Sequence, residues 1–401
     1  MSALRRHDLL VVALVVAVGV WVAQFLLTFD HSLGDLPVYE HTSRLIALGE
    51  FPYADFRLEY PPLAASLFVL AGILPGGYAL GFSMVMLACL LATLVGTYAT
   101  ARALGLDRRS TGSALALIAL APIMLGPLMQ TRYDLAVAAL LAWIAYAIVT
   151  DRWHATWILV AVAVLVKLVP LAVIPVLVLM HRRWAAGRGA RWGWLAALAA
   201  IALGVAPFVI GSPRGAWQMV AYHLDRPLQI ESFGSSLLLG AHNLARVPVR
   251  HVTSYGSDNL IGRLPDAIAT LSSAAGIVLL VLVARSLHRA LGAETGPRLL
   301  ALQGISATLV ALIATGKVLS PQYLVWLVPL VALVGGRRGQ ISAGLLAVAM
   351  IASQVIFPTS YRALTDELAA TPTAVLIGRN LLLVVLLVAV WPRRKTQTRS
   401  A

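Results

Sequence analysis

The sequence is short of cysteine and of charge, and both shortages limit what the protein can be. Cys89 is the one cysteine among 401 residues, so a disulfide within the chain is excluded. Only 12% of the residues are charged while 60% are hydrophobic, and no polar stretch is long enough to suggest a soluble domain. This composition excludes an ordinary soluble enzyme and is typical of a polytopic membrane protein.

Several motifs of cytoplasmic chemistry are also missing. The sequence has no Walker A loop, no Rossmann glycine pattern and no GxSxG elbow in a suitable setting. Energy from cytoplasmic ATP is therefore unsupported, and any activated donor has to be usable on the outer side. The spacing of His223, Asp225 and Glu231 matches no strong metal-ligand motif. We predict neither a metal nor a cofactor.

The positions of the basic residues along the chain explain the formal net charge of +14. Arginine and lysine concentrate in short intervals between or beyond apolar segments, which is the pattern of loops that stay in the cytoplasm. The excess therefore orients the helices in the plasma membrane, and nucleic-acid binding is not indicated. The basic intervals are 5–6, 102–109, 152, 182–191, 285–298, 337–338 and 393–399.

The apolar segments predict one all-α domain, a polytopic membrane helix bundle over residues 1–401 with about 12 crossings. Both termini are predicted in the cytoplasm, with a tail at 393–401. The run 155–180 should be a pair of short helices broken near Lys167 and Pro170, and 63–74 is too short to span comfortably. Single helices are predicted at 9–27, 78–101, 111–128, 134–150, 193–210, 266–284, 299–316, 322–335, 341–357 and 373–391.

The first outer interval, residues 28–62, concentrates acidic side chains and is the predicted active-site loop. Asp35 precedes a helical pattern that Pro37 begins and Gly49 ends. Its carboxylate could act as a general base, or it could simply cap that helix. Glu59 and Tyr60, just before two prolines, could line a cavity, or the prolines could only break the chain where it returns to lipid.

The outer intervals also carry cations that could hold a phosphate. Arg132, Arg226 and Lys317 lie at predicted outer helix ends, where they could bind phosphate or extend toward lipid headgroups. Lysine occurs only three times, so Lys317 is not simply the usual cation of this chain. Lys167 lies within an apolar run, where a lysine is costly in lipid, so its side chain should face protein or water, and it is expected to have a structural role. The second large outer interval, 211–265, should be a loop with short surface helices.

Five stretches, taken in order, resemble bacterial glycosyltransferase family 87, whose characterised members include polyprenyl-phosphate-mannose-dependent α-1,2-mannosyltransferases. The resemblance implies the GT-C fold, an inverting transfer from a sugar on a polyprenyl phosphate, and a glycolipid or polysaccharide acceptor at the outer membrane face. The stretches are GDLPVYEHTSRLIALGEFPYADFRLEYPPL, QTRYDLAVAALLAWI, VKLVPLAVIP, HLDRPLQIESFGSSLL and KVLSPQYLVWLVPL.

The same resemblance implies roles for particular residues. Asp35 takes the position of the family's catalytic aspartate, with Asp30 as the fallback. Phosphate binding is expected from Arg132, Arg226 and Lys317, and substrate contacts from Glu59, Tyr60, His223, Glu231 and Gln322. Low lysine with high arginine and alanine fits an actinobacterium, for which mannose or arabinose is a plausible sugar.

A membrane transporter or flippase of envelope glycolipids is the alternative class, because it would have the same composition. Such a protein should place charges at mid-membrane and show inverted repeats. Here the charges gather at one face and no repeat is evident. The sequence therefore favours an enzyme, a hexosyltransferase.

Overall fold

The computed structural model describes residues 4–30, 34–184, 192–291 and 296–393. These residues form a helical bundle, which confirms the predicted all-α membrane fold. The helices of the first half are α1 (Leu4–Thr28), α2 (Leu36–Ala47), α3 (Pro62–Ile73), α4 (Tyr78–Ala103), α5 (Arg108–Leu125), α6 (Leu128–Thr131), α7 (Asp134–Val149), α8 (Trp153–Val166) and α9 (Ile174–Trp184).

The second half adds helices and a small sheet. Its helices are α10 (Gly193–Gly211), α11 (Pro213–Asp225), α12 (Phe233–Ala245), α13 (Arg263–Leu291), α14 (Pro297–Thr315), α15 (Gly336–Gln354), α16 (Tyr361–Thr365) and α17 (Ala370–Val390). Its strands are β1 (Leu228–Gln229), β2 (Arg250–Ser254) and β3 (Ser257–Ile261). Of the predicted tail at 393–401, all but Arg393 lies outside the described residues.

Seven helices in the described ranges are long and apolar enough to cross a membrane, namely α1, α4, α10, α13, α14, α15 and α17. Helix α14 is buried over 78% of its apolar window, whereas α13 is buried over only 6%. An apolar helix with so little burial has to face lipid rather than other helices. Helix α14 is therefore central and α13 peripheral, and the total of about 12 crossings stays a prediction.

Two predicted segments depart from regular spanning helices in different ways. The predicted break near Lys167 is confirmed, because α8 ends at Val166, a 3-10 turn follows at Val169–Val173, and α9 then begins. The predicted helix over 322–335 is wrong. That segment forms two short 3-10 helices, Pro321–Leu327 and Val331–Val334, whose side chains are all buried apart from that of Tyr323.

Non-helical backbone deep in a membrane protein is tolerated where other protein covers it or where it lines a cavity. The 3-10 segment Pro321–Leu327 packs against α7, α14 and α15, so neighbouring helices cover it. Continuous burial on all sides gives the same apolar sequence pattern as a spanning helix. Composition therefore could not distinguish this buried 3-10 segment from a helix that crosses the membrane.

The interval 211–265 contains the predicted surface helices, α11 and α12, and also a hairpin that was not predicted. Strand β3 pairs antiparallel with both β1 and β2, giving the order β1-β3-β2. Tyr255 and Gly256, between β2 and β3, both have positive φ, which is the geometry of a two-residue hairpin turn. The sheet packs against α13 and so fixes the position of the loop that precedes α12.

Candidate active site

Asp35 stands at the N-cap position of α2, but its side chain makes no capping hydrogen bond. Its carboxylate forms an ion pair with Arg132 instead. The hydroxyls of Tyr39 and Tyr60 donate to Asp35 Oδ2 at 3.3 and 3.2 Å. The geometry therefore does not support capping as the role of this side chain, and it leaves the carboxylate in a polar cluster.

Gly34 allows the first outer loop to approach α6 closely. Its φ is +83°, and a Cβ at this position would lie 2.8 Å from Thr131 Oγ1. Glycine is the residue that adopts this φ without strain and leaves that space free. The local backbone thus brings Asp35 beside Arg132.

A cavity of about 570 Å³, hereafter the first cavity, lies at the end of the bundle that is predicted to face outside. Its polar part contains six of the nine predicted site residues, and its other part is apolar. The six are Glu59, Tyr60, His223, Arg226, Lys317 and Gln322. The structure brings these residues together from three separate segments of the chain, although their individual roles stay predictions.

The apolar part of the first cavity reaches the outer surface of the bundle. It is lined by Leu171 of the 3-10 turn, by Ile277 and Leu280 of α13, and by Leu312 of α14. Leu171 and Ile277 are 42% and 65% exposed, although both are large apolar residues. The first cavity therefore joins a charged interior to a surface that faces lipid.

The two predicted cations in the first cavity are held by neutral partners. Arg226 donates from one of its terminal nitrogens to Ser257 Oγ at 2.8 Å, while its buried Nε has no hydrogen-bond partner. Lys317 donates from Nζ to the Leu224 carbonyl at 2.5 Å. Among the ion pairs of the described residues, neither cation appears. Both charges are available to an anion.

Burial shifts the titration of several groups around this cavity. It lowers the pKa of His223, whose Nε2 donates to the Glu59 carbonyl at 3.1 Å. Burial, helped by the Glu59 carboxylate, raises the pKa of Tyr222. Burial also lowers the pKa of Lys317, and the nearby Asp225 opposes that shift. His223 is therefore neutral near pH 7, and Tyr222 keeps its proton.

A second cavity, of about 410 Å³, lies on the other side of Glu59, Tyr60 and Tyr222, which line both cavities. Its remaining wall is more polar and carries two further tyrosines. The additional residues include Tyr53, Arg57, Gln218, Asp225 and Tyr255. Glu59, Tyr60 and Tyr222 therefore form a wall that the two cavities share.

Three predicted site residues line neither cavity. Asp35 and Arg132 pair with each other beside Tyr60. Glu231 is only 1% exposed and pairs at 3.4 Å with the wholly buried Arg379. Burial raises the pKa of Glu231 to about 7. In this conformation, Glu231 supports the loop before α12 and does not face either cavity.

Lys167 was expected to face protein or water and to be structural, and it contacts protein and also lines the first cavity. Its Nζ donates to Asp134 Oδ1 at 2.7 Å, and Trp326 Nε1 donates to the same oxygen at 2.7 Å. The signal for a site residue was present in the sequence, because a lysine in an apolar run is costly and functional by default. No described group of three or more His, Cys, Asp or Glu side chains is placed to hold a metal ion.

Taken together, the fold and the site define an integral membrane protein with a charged cavity at one end of its bundle, open sideways toward lipid. The family model of glycosyltransferase family 87 matches residues 58–321. Because the match covers more than half of the chain, the protein belongs to glycosyltransferase family 87, and it is a membrane glycosyltransferase. A comparison with curated proteins gives no match. The matched range contains all the predicted site residues except Asp35 and Gln322.

Proposed function

We propose that this protein transfers a hexose, mannose in the first instance, from a polyprenyl-phosphate sugar to a glycolipid or polysaccharide acceptor. The transfer takes place on the outer face of the plasma membrane and inverts the anomeric centre. Asp35 is the general base of this proposal. Arg226, Lys317 and Arg132 are the proposed phosphate ligands, and the other predicted residues contact the substrates.

The shape of the first cavity carries the proposal. A polyprenyl-phosphate sugar has a charged head and a long apolar tail, and the cavity has a cationic interior and an apolar opening toward lipid. Charge-assisted bonds from Arg226 and Lys317 suit the phosphate oxygens. The tail can leave past Leu171 and Ile277 without crossing polar protein. Neither a nucleotide sugar nor a soluble donor needs such an opening.

The second cavity is the proposed acceptor site. Tyrosine rings beside hydrogen-bonding side chains suit a sugar, which presents both apolar faces and hydroxyl groups. Glu59, Tyr60 and Tyr222 line both spaces, so an acceptor hydroxyl in the second cavity can approach a donor in the first. Transfer between two held substrates gains from this proximity.

The chemical step follows from this arrangement. The acceptor oxygen bonds to the anomeric carbon while the bond from that carbon to the phosphate oxygen breaks. The electron pair of the broken bond remains on the polyprenyl phosphate, and the acceptor's proton passes to Asp35 through the Tyr60 hydroxyl, because Asp35 itself lines neither cavity. The Tyr60 hydroxyl donates to Asp35 and Tyr60 lines both cavities, so this residue connects the base to the reacting groups.

Membranes that contain the protein, incubated with radiolabelled polyprenyl-phosphate mannose and lipids of the host, test the proposal. Wild type should label a new product, and Asp35→Asn should reduce the rate about 10²- to 10⁴-fold, as loss of a general base does. Glu50→Gln is the matched control, since Glu50 lies in the same outer loop and lines neither cavity.

Each other result has a defined meaning. Transfer that persists in Asp35→Asn would move the base to Glu59 or Asp30. If wild type transfers nothing from the mannose donor, other polyprenyl-phosphate sugars are tested next. Failure with all of them would contradict the proposed donor class.

A further inference from the structure

The chain breaks a helix to bring Lys167 into the first cavity. Helix α8 ends at Val166, and Lys167 has an extended backbone, with φ −155° and ψ 141°. The break interrupts a long apolar run, where lost helical hydrogen bonds and a lysine are both expensive. Such a cost is tolerated where the exposed groups line a polar cavity, and Lys167 lines one.

Aromatic rings surround the Lys167 ammonium on several sides. Its Nζ lies 4.5 Å from the ring centre of Tyr133, 5.2 Å from that of Trp326 and 5.7 Å from that of Tyr323. These three rings also line the first cavity. Ring faces attract a cation but accept little of its hydrogen-bonding capacity. The ammonium is therefore fixed in position and still has protons to donate.

The ion pair with Asp134 occupies one of the three N–H donors of the Lys167 ammonium. Asp134 Oδ1 also accepts from Trp326 at 2.7 Å, while the buried Asp134 Oδ2 has no hydrogen-bond partner among the described residues. Lys167, Arg226 and Lys317 together line a cavity in which Glu59 is the one lining carboxylate among the described residues. The buried, unpartnered Nε of Arg226 adds a donor without an acceptor. This excess of positive charge and of hydrogen-bond donors suits the binding of an anion.

We propose that Lys167 is a further catalytic residue, which binds the phosphate of the lipid-linked donor and stabilises it as it leaves. The inference rests on the proposed function. When the bond between the anomeric carbon and the phosphate oxygen breaks, the phosphate gains one negative charge. A fixed ammonium beside it interacts more strongly with the leaving group than with the intact donor, and that difference lowers the barrier.

A purely structural role would give Lys167 a different task, which is to neutralise Asp134 and hold the broken helix. Removal of either partner would then have the same effect, because each leaves a lone buried charge. A phosphate ligand behaves differently. Loss of Lys167 should weaken phosphate binding, whereas Asp134→Asn should preserve it, since the ammonium remains and loses the competing negative charge of the carboxylate.

The test measures binding rather than transfer. Purified full-length protein in nanodiscs is titrated with farnesyl phosphate and with farnesol, and the ratio of the two dissociation constants reports the contribution of the phosphate. In Lys167→Met, the preference for the phosphate should fall about 10- to 100-fold, the range for one lost hydrogen bond to a charged group. Asp134→Asn should keep at least the wild-type preference.

A double variant, Lys167→Met with Asp134→Asn, addresses folding because it leaves no lone charge, and it should lose the preference to the same degree as Lys167→Met. The inference is overturned if Lys167→Met or the double variant keeps the wild-type ratio, or if Asp134→Asn loses as much as Lys167→Met. A wild type that does not distinguish farnesyl phosphate from farnesol would instead contradict the proposed donor class itself.

Discussion

Gln229 holds the segment that carries Lys317, although the two residues are far apart in the sequence. Its Oε1 accepts from the Leu319 N–H at 2.7 Å, and its own N–H donates to the Lys317 carbonyl at 2.9 Å. Gln229 is 3% exposed, so no water can replace these bonds easily. Through these two hydrogen bonds, the loop before α12 fixes the backbone of Lys317, one of the cations that line the first cavity.

Gln229→Leu should therefore weaken both the fold and donor binding. The buried Leu319 N–H would lose its acceptor, which costs about 1–3 kcal/mol. We expect a lower thermal midpoint together with a raised KM for the donor. Gln229→Glu keeps an oxygen at the same place and is the matched control. Equal effects of the two substitutions would show that the hydrogen bond is not responsible.

Tyr60→Phe should lower the transfer rate with little loss of stability. The substitution removes the hydroxyl that donates to Asp35 at 3.2 Å, while the ring keeps its contacts with Phe68 and Tyr133. We expect kcat to fall about 10-fold or more, since one positioned hydrogen bond to a charged group is worth about 1.5–3 kcal/mol. Tyr78→Phe, which removes a buried hydroxyl from a residue that lines neither cavity, serves as the control. An unchanged kcat in Tyr60→Phe would remove Tyr60 from the path of the proton.

Arg132 can be tested for two roles at once. The family resemblance implies that it binds the donor phosphate, whereas in this conformation its guanidinium pairs with Asp35. If the ion pair orients the base, Arg132→Gln should lower kcat and leave the donor KM nearly unchanged. A raised KM with the same kcat would show that Arg132 reaches the phosphate during turnover. Steady-state kinetics with the donor varied separates the two results.

Glu231 should make the stability of the protein depend on pH. Burial raises its pKa to about 7 in the folded state, compared with about 4.3 for an unperturbed glutamate. Between these values the folded protein binds a proton that the unfolded chain has lost. Its stabilising contribution is thus complete below about pH 4.3 and disappears as the pH rises through about 7. The thermal midpoint of wild type should fall over this window relative to Glu231→Gln.

The opposite slope, a midpoint that rises with pH relative to Glu231→Gln, would mean that Arg379 keeps Glu231 ionised in the folded protein. Glu367→Gln is a suitable second control. This carboxylate is exposed and lies on the same side of the bundle, so its replacement should leave the pH dependence unchanged.

Sequence patterns predicted local structure well where the signal is local. Asp35, Pro37 and Gly49 marked a helix, and the structure has α2 over Leu36–Ala47. Lys167 and Pro170 marked a break, which the structure also has. The hairpin turn at Tyr255 and Gly256 was not predicted. The strands on either side are short and lack the long alternation of polar and apolar residues that would have indicated them.

Other features depend on contacts between distant segments, which one sequence does not specify. The pairing of Asp35 with Arg132 requires knowing that the first outer loop meets α6. The burial of Glu231 beneath Arg379 requires the position of α17. The fully buried 3-10 segment Pro321–Leu327 reads as a spanning helix because lipid and protein interior select the same apolar residues. Hydropathy alone therefore cannot distinguish a segment buried in protein from one that crosses lipid.

The sideways opening past Leu171 and Ile277 changes how the concentration of the donor should be counted. A substrate that arrives through the bilayer is diluted by other lipids, not by water. Its rate of capture therefore follows its mole fraction in the membrane, and adding inert phospholipid should slow the reaction at a constant total amount of donor. The acceptor, which is proposed to enter from the outer side, would obey ordinary bulk concentration if it is a polysaccharide and surface dilution if it is a glycolipid.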